Sequence, residues 1–346
     1  MQNIQFVNPL EIHDWDTQIL QFPGATIFHS SAWARVLIES YGFVPHYCIV
    51  NQAEEITGVL PLMEVSDVLG RKKMVSLPFS DFCEPLFHDS QDVQKVCEHL
   101  TVTAQNKKWR SLELRGGHNL LADKIIYDEL FSHEIDLDRK PEELLQSFSD
   151  TTRRNIRKAE KAGITVTHEN SLDAMNRFYG LNCQTRRKHG LPPQPWKFFC
   201  KLHESFFTNK KGFVTLGVFQ GKVIAGNLFL TSGHKALYKY GASDHHFQHL
   251  RASNLVMWEG IKHCRESGCL GLHLGRTELH HTGLRQFKLG WTRNETTNRY
   301  YRYHFLQKRY LKKSVSLTEG LPAMIFRNLP QPILKIIGTV LYKYIA

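Results

Sequence analysis

The sequence predicts a mixed α/β fold built as two successive blocks of similar size. Three observations carry this. The chain has 346 residues, against roughly 150 per domain. Short apolar, strand-like segments alternate with helical patterns along each half, the signature of mixed sheets covered by helices. Hydrophobic residues make up 42% of the chain and charged residues 22%, the composition of a globular protein that buries its cores without disulfides or metals. The blocks are placed at residues 1–139 and 140–310, with a tail over 311–346.

In the first block, Ser30 to Tyr41 reads as a helix, with Ser30 or Ser31 as the cap and Gly42 as the stop. His46–Val50, Thr57–Met63 and Met74–Leu77 read as strands, broken by the polar stretches 51–55 and 70–73. Asp92 to Asn106 reads as a helix, and Ser111–Arg115 as the strand that Gly116-Gly117 ends. Phe131 to Leu137 is a further strand.

The second block opens with two consecutive helices, Pro141–Phe148 and Thr151–Ala162, with Asp150 as cap and Gly163 as stop. Ile164–Thr167 is a strand. Leu172–His189 and Trp196–Thr208 are helical and are separated by the Pro192-Pro193-Gln194-Pro195 loop. Phe213–Phe219 and Lys222–Leu230 form a hairpin across Gln220-Gly221, and Ala236–Tyr240 follows as a strand. Ser253–Glu266 is a helix, Gly271–Leu274 a strand, His280–Leu289 a helix and Thr297–Phe305 a closing strand.

In the tail, Ile333, Leu334, Ile337, Val340, Leu341, Tyr344 and Ile345 recur at helical spacing. No acidic residue follows Glu319, whereas Arg327, Lys335 and Lys343 do. A basic amphipathic helix with aromatics suits an anionic membrane interface. The same pattern also fits a helix folded back on its own protein, and the sequence leaves both open.

The net charge of +11 favours phosphates, nucleotides, nucleic acid or an anionic membrane surface. The seven cysteines are odd in number and show no CxxC pair, which reads as reduced core thiols in a cytoplasmic protein. The first sixteen residues carry Glu11, Asp14 and Asp16 and no long apolar run, so no secretory signal is expected. No stretch reaches the roughly 18–20 apolar residues of a membrane span.

Arg153, Arg157 and Lys161 fall at i, i+4 and i+8, with Arg154 and Lys158 alongside and Glu160 as the local acid. One helix face is therefore strongly cationic near a helix start, a place where guanidinium groups and free amides together hold phosphate. Tyr238 and Tyr240 alternate on a strand, so one faces a cleft when the other faces the core. The nineteen histidines include the groups His245-His246 with His249 and His273 with His280-His281. No HExxH or CxxC spacing accompanies them, so no metal site is expected. Cys83 has no readable His/Asp arrangement around it and is not expected to act as a nucleophile.

Several segments resemble the Fem family of peptidoglycan-bridge aminoacyltransferases and related GNAT-like proteins of exopolysaccharide gene sets. They are Thr152-Arg153-Arg154-Asn155-Ile156-Arg157-Lys158-Ala159-Glu160-Lys161-Ala162-Gly163, then Tyr238-Lys239-Tyr240-Gly241-Ala242-Ser243, then Leu272-His273-Leu274-Gly275-Arg276, and finally Leu284-Arg285-Gln286-Phe287-Lys288-Leu289-Gly290-Trp291. The first half adds Ser31-Ala32-Trp33, Gly58-Val59-Leu60-Pro61-Leu62 and Ser76-Leu77-Pro78-Phe79. Order and approximate spacing match over about residues 30–305. The resemblance implies two tandem GNAT-type domains, with the donor and acceptor clefts formed mainly around the second.

It also implies roles. Lys288 becomes the stabiliser of the tetrahedral oxyanion, since a positioned cation in a site shielded from water lowers that barrier. The main-chain carbonyl of Phe287 becomes the group that orients the reacting amine. Arg154 and Asn155 border the cleft for phosphorylated or lipid-linked precursors. Thr185 and Arg187 match a T-x-R element that grips acceptor phosphates, by a hydroxyl donor and a bidentate guanidinium. Leu191 stands near where the family has a further tyrosine. Tyr240 becomes the cleft-facing member of its pair. Asp81 and Glu84 fall in a loop beside the acceptor.

The donor loop departs from the pattern of CoA-using enzymes. His249-Leu250-Arg251-Ala252-Ser253-Asn254 stands where a glycine-rich loop would cradle a pyrophosphate. Arg251 and Ser253 are left as phosphate contacts, and the departure favours a charged tRNA or another donor over acetyl-CoA. The attacking amine must be neutral; Asp244, Glu278, His280, His281 or a group on the substrate are the candidate bases.

The leading expectation is an N-acyltransferase that moves an aminoacyl or acyl group to an amine of a cell-wall, glycan or lipid-linked acceptor. Attack is direct and no cofactor is tightly bound; aminoacyl-tRNA or acyl-CoA is the cosubstrate. The protein would be cytoplasmic, held by its tail at the inner membrane face. Two other classes stay open: a membrane-peripheral scaffold that kept the fold without the activity, and a nucleic-acid-binding protein using the +11 charge.

Overall fold

The computed structural model describes residues 3–53, 55–313 and 321–345. Its internal contacts divide the chain into two units. The first comprises Met1–Leu130, Thr297–Val315 and Val340–Ala346, and the second Phe131–Thr296 and Ser316–Thr339.

The first unit begins with β1 (Asn3–Val7), α1 (Trp15–Leu20) and α2 (Ser31–Tyr41). Helix α2 starts where the sequence places it: the Ser30 hydroxyl accepts from Trp33 N, and Gly42 closes the helix in the left-handed region at φ 72°. There follow β2 (Val44–Pro45), β3 (Tyr47–Gln52), β4 (Glu55–Leu60), β5 (Met63–Ser66), β6 (Lys72–Ser76), β7 (Leu86–Phe87), α3 (Gln91–Lys107), β8 (Ser111–Arg115) and β9 (Asp128–Asp136). The single strand expected over Thr57–Met63 is broken into β4 and β5, which lie in different sheets. Pro61, with no N–H to give to a ladder, stands at the break. One antiparallel sheet runs β1-β3-β4-β7. Its Cys48, Val50 and Leu60 pack with Val96, Leu100 and Ala104 of α3.

The chain passes into the second unit along β9. There it forms α4 (Pro141–Ser147), α5 (Asp150–Lys161), β10 (Thr165–Glu169), α6 (Leu172–Lys188), α7 (Trp196–Leu202), β11 (Gly212–Phe219), β12 (Lys222–Ser232), β13 (Lys235–Ser243), α8 (Ala252–Glu266), β14 (Gly271–Glu278) and α9 (Thr282–Leu289). The chain then enters β15 (Glu295–His304) and β16 (Arg309–Tyr310), and ends in α10 (Leu321–Asn328) and α11 (Gln331–Leu341). In the first unit, β15 pairs antiparallel with β8, which pairs parallel with β6, and β5 and β2 follow outward.

The second unit's strands run in the order β10-β11-β12-β13-β14-β9. Its long hairpin turns at Gln220 and Gly221, both at positive φ, as a two-residue turn requires. Helices α5 and α8 cover this sheet through Ile156, Ala159, Val256, Met257 and Ile261, against Phe229, Leu272 and Leu274. Two expectations change. The cap of α5 is Ser149, whose hydroxyl accepts from Thr152 N, and Asp150 is already helical. Helix α7 stops at Leu202 and widens into a π-turn over His203–Phe207.

The tail's helical spacing is realised as α11. Leu334 and Gly338 are buried, Lys335 reaches over the Tyr179 ring, and the Arg187 guanidinium donates to the Arg327 carbonyl. Ile333, Ile336 and Val340, at i, i+3 and i+7, stay exposed, as do Met324 and Ile325 of α10.

Candidate active site

Strands β13 and β14 are parallel, yet they pair only where Lys235–Leu237 face Gly271–His273. Strand β13 keeps its partner β12 as far as Ser243, while the ladder to β14 stops. The two strands part into a wedge in the middle of the sheet. Just past the parting point β14 carries Gly275 at φ 72°. Its amide donates to His273 Nδ1, and His273 Nε2 in turn meets the Ser132 hydroxyl on β9.

Lys288 reaches this irregular stretch from α9. Its Nζ donates to the carbonyls of Gly275 at 2.8 Å and Arg276 at 3.0 Å. The residue is 2% exposed, which is rare for lysine and costly unless the ammonium is well partnered. Phe287 precedes it, half-buried and edge-on to Trp291. The Phe287 carbonyl lies in the last turn of α9, where acceptors run out of helix partners, and Gly290 N approaches it at 3.3 Å.

The end of α9 meets the start of α5. Ser149 N donates to the Gly290 carbonyl at 3.0 Å. A Cβ on Gly290 would lie 2.4 Å from Thr152 Oγ1, so only glycine lets the two helices approach this closely. The cationic face therefore begins next to the Lys288 helix. Asp150, Arg153, Arg154 and Arg157 line a hollow of about 470 Å³. Arg153 is paired with Asp150, and Arg154 donates to the Thr151 hydroxyl. Asn155 lies on the same helix, half-exposed.

Thr185 meets the end of β13, the strand that carries Tyr240, while Arg187, two residues on along α6, turns to the Arg327 carbonyl of α10. The Thr185 hydroxyl accepts from Ser243 N at 3.1 Å. Tyr240 donates its hydroxyl to Gln194 Oε1, and Tyr179 donates to the Gln194 carbonyl. Tyr240 also packs against Phe198 and Phe199, whereas Tyr238 is half-buried against Phe229 and burial of its phenol raises its pKa. The hydroxyl of Thr185 and the Nε of Arg187 are thus engaged with main chain before any ligand arrives. Arg251 adopts φ 63° and stands as the N-cap of α8, with Ser253 in the first turn. The loop has no glycine there, but it takes the left-handed turn a glycine would take and presents the start of a long helix beyond β13.

Among the candidate bases, Asp244 is committed. One carboxylate oxygen lies 2.8 Å from Lys222 Nζ and the other accepts from His246 N. Burial opposes its charge, but these bonds hold its pKa below the usual carboxylate value. His280 Nε2 lies 3.2 Å from Glu278 Oε2 at the exit of β14. The side chains of Asp244, His245 and His246, and of Glu278, His280 and His281, each come within 4.8 Å of one another. Cys83 lies in the first unit, fully buried, with its Sγ 3.7 Å from His29 Nε2. His29 Nδ1 accepts from Thr26 N, so Nε2 carries the proton and donates it to the Glu84 carbonyl. His29 has no lone pair to offer the thiol, and burial pushes that thiol well above its usual pKa.

The sequence reading missed a buried ionic group held by α9. His133 of β9 is wholly buried, with Nε2 2.8 Å from Glu295 Oε2 at the start of β15. Arg285 holds that carboxylate through Nε at 2.8 Å and Nη2 at 2.7 Å. These residues are far apart in sequence and match no motif. The one local signal was a histidine inside the apolar strand Phe131–Leu137.

Residues 146–289 match the family model of the acetyltransferase (GNAT) domain. That stretch is a GNAT-type acyltransferase domain. No curated protein matches the chain by sequence. Among solved structures, this acyltransferase is similar to FemX, with a TM-score of 0.67 and 16% identity over 86% of this chain and 97% of that one. It is also similar to a tandem GNAT protein from the clavulanic acid biosynthesis pathway, with a TM-score of 0.56 and 9% identity over 88% and 99% of the two chains. A third is L-PGS from Bacillus licheniformis, with a TM-score of 0.52 and 13% identity over 95% and 96%. At these identities the likeness is one of fold, and it establishes a tandem GNAT-like architecture.

Proposed function

We propose that this acyltransferase moves an aminoacyl or acyl group from a charged tRNA or an acyl-CoA to an amine on a phosphorylated or lipid-linked cell-wall or glycan acceptor. The observation that carries the reading is Lys288, a buried ammonium held at the parting of β13 and β14. The neutral amine attacks the donor's carbonyl carbon directly. A C–N bond forms, the carbonyl oxygen becomes an oxyanion, and Lys288 compensates its charge. On collapse the C–S bond to CoA, or the C–O bond to the tRNA ribose, breaks. The proton shed by the amine ends on the departing thiol or hydroxyl, so the balance closes without a covalent enzyme intermediate. The Phe287 carbonyl accepts a hydrogen bond from the amine and orients its lone pair.

The acceptor's phosphates are assigned to Arg154 and Asn155 on α5 and to Thr185 and Arg187 on α6, with Tyr240 beside them. The donor's phosphates are assigned to Arg251 and Ser253 at the start of α8, where helix amides favour anions. The exposed stripe Met324, Ile325, Ile333, Ile336 and Val340, flanked by Arg327, Lys335 and Lys343, is assigned to a membrane interface. Among the described residues no helix is long and apolar enough to cross a membrane, so the contact is peripheral.

The test is a mass-spectrometric transfer assay with aminoacyl-tRNA or acyl-CoA donors and pooled amine-bearing cell-wall and nucleotide-sugar acceptors. A product from charged tRNA supports the aminoacyl branch, and one from acyl-CoA the acyl branch. No product from either, with folded protein and both acceptor classes present, counts against the reading and for the scaffold.

A further inference from the structure

The two histidine–carboxylate groups of the second unit differ in what their carboxylates already hold. In the group Asp244, His245 and His246, both carboxylate oxygens are engaged. One lies 2.8 Å from the Lys222 ammonium and the other accepts from His246 N at 3.1 Å. A metal ion there would have to displace an ammonium. In the group Glu278, His280 and His281, the Glu278 Oε2 atom is shielded from water and finds no hydrogen-bond partner. A carboxylate oxygen taken out of water without a donor is costly, and a cation relieves that cost.

The backbone brings the second group together. Glu278 is the last residue of β14, and His281 stands at the N-cap of α9 without making a side-chain cap bond. His281 N donates to the Glu278 carbonyl at 2.9 Å, the bond that closes a tight four-residue turn. One ligand atom from each of Glu278, His280 and His281 then falls within 4.8 Å of the other two. His280 Nε2 lies 3.2 Å from Glu278 Oε2, yet the pair is not aligned as a hydrogen bond. Two donor atoms that share a tetrahedral ion, each about 2.0–2.2 Å from it, stand about 3.3–3.5 Å apart. The observed separation is therefore close to one edge of such a site.

We propose that Glu278, His280 and His281 form a binding site for one divalent transition-metal ion of the zinc class at the turn from β14 to α9. Two imidazoles and a carboxylate suit zinc, whereas magnesium and calcium take oxygen ligands. Three protein ligands leave the fourth position to water. The ion ties the end of β14, whose Gly275 and Arg276 carbonyls accept from Lys288, to the start of the helix that carries Lys288. With the ion bound, these three residues are ligands and none of them is the base for the amine. The site stands independently of the transfer chemistry. Motif spacing passes over it because the ligands fall within four consecutive residues, as Glu-x-His-His, rather than one turn apart on a helix face.

The test is metal binding by the tag-free full chain, stripped with a chelator and dialysed. Zn²⁺ is titrated by calorimetry and Co²⁺ by visible absorption. One equivalent should bind per chain, with micromolar affinity or tighter. Glu278→Gln and His281→Ala should each weaken binding by about tenfold or more, since even the loss of a supporting partner around a metal costs that much. The paired substitution His245→Ala and His246→Ala should leave the affinity unchanged. Circular dichroism checks that the variants fold. Should they not, X-ray absorption at the zinc edge of the loaded wild type reads the ligands directly and should show two imidazoles. No stoichiometric binding, binding that survives both Glu278→Gln and His281→Ala, loss of the ion in the His245 and His246 variant, or a first shell without imidazole would each overturn the inference. Failure of the transfer reading shows elsewhere, because none of these measurements uses a donor or an acceptor.

Discussion

Lys288 Nζ lies 2.8 Å from the Gly275 carbonyl, on the strand that parts from β13. An ammonium parked on main-chain carbonyls is stabilised by dipoles, and an oxyanion appearing beside it offers a full opposite charge in a low-dielectric setting. On the proposed role the arrangement serves transfer chemistry, and its stability contribution is expected to be small. Replacing a buried ion by an apolar side chain of similar length is often neutral or stabilising. Lys288→Met should therefore unfold at the same or a higher urea concentration while losing transfer activity. A large fall in the urea midpoint would mark Lys288 as a structural residue.

Gly290 joins that site to the cationic helix. Alanine there would push a methyl group against Thr152 Oγ1, 2.4 Å away, and crowd the Phe287 carbonyl at 3.1 Å. Neither is a long, flexible side chain, and Ser149 caps α5. Gly290→Ala should lower stability by about 1–3 kcal/mol. Urea denaturation measures this directly, and a change below about 0.5 kcal/mol would mean that the helices tolerate separation.

The tail makes a separate prediction. Burying Ile333, Ile336 and Val340 in lipid while Arg327, Lys335 and Lys343 face anionic headgroups should give binding to anionic vesicles that weakens with salt. Ile336→Glu should reduce co-sedimentation by about tenfold, the cost of one charged side chain in an apolar interface. Equal binding of wild type and variant would remove the stripe from the interface.

The first unit should be acid-sensitive through Glu113. This buried carboxylate lies beside Arg115 and Arg302, with Lys73 near. Burial raises its pKa, but the guanidinium groups and Lys73 overcome that and hold it near 2, against an ordinary 4.5. A folded-state pKa below the unfolded value stabilises the fold above pH 4.5, and the contribution is lost as pH falls from there towards 2. Glu113→Gln should remove this part of the acid dependence. It should also destabilise at neutral pH by about 3–5 kcal/mol, since it leaves the cations uncompensated. Urea melts at pH 7 and pH 3 check both; a variant as stable as wild type at pH 7 would contradict the account.

Much of the fold was legible because its signals are local. The Ser30 cap, the Gln220-Gly221 turn and the cationic spacing of Arg153, Arg157 and Lys161 each act within a few residues. The break at Pro61 was legible in principle, since a missing N–H ends a ladder. The Ser149 cap was hidden because Ser149 and Asp150 are both good caps, and the choice depends on where Gly290 meets the helix. At the site, Lys288 and Phe287 stood out by their motif. The set His133, Glu295 and Arg285 did not, because β9 and the start of β15 contribute members far from α9 in sequence. What binds them is burial of a charge, which no spacing rule encodes. The wedge itself was invisible too: β13 and β14 read as ordinary strands, and only their register shows that pairing stops after Leu237 and His273.

The most direct test of the central claim is single-turnover transfer with a donor that gives product, comparing wild type with Lys288→Met at saturating acceptor. If the buried ammonium stabilises the oxyanion, the transfer rate should fall by about 10²–10³, while donor binding, measured separately, stays within about twofold. A variant that transfers at the wild-type rate would contradict the account.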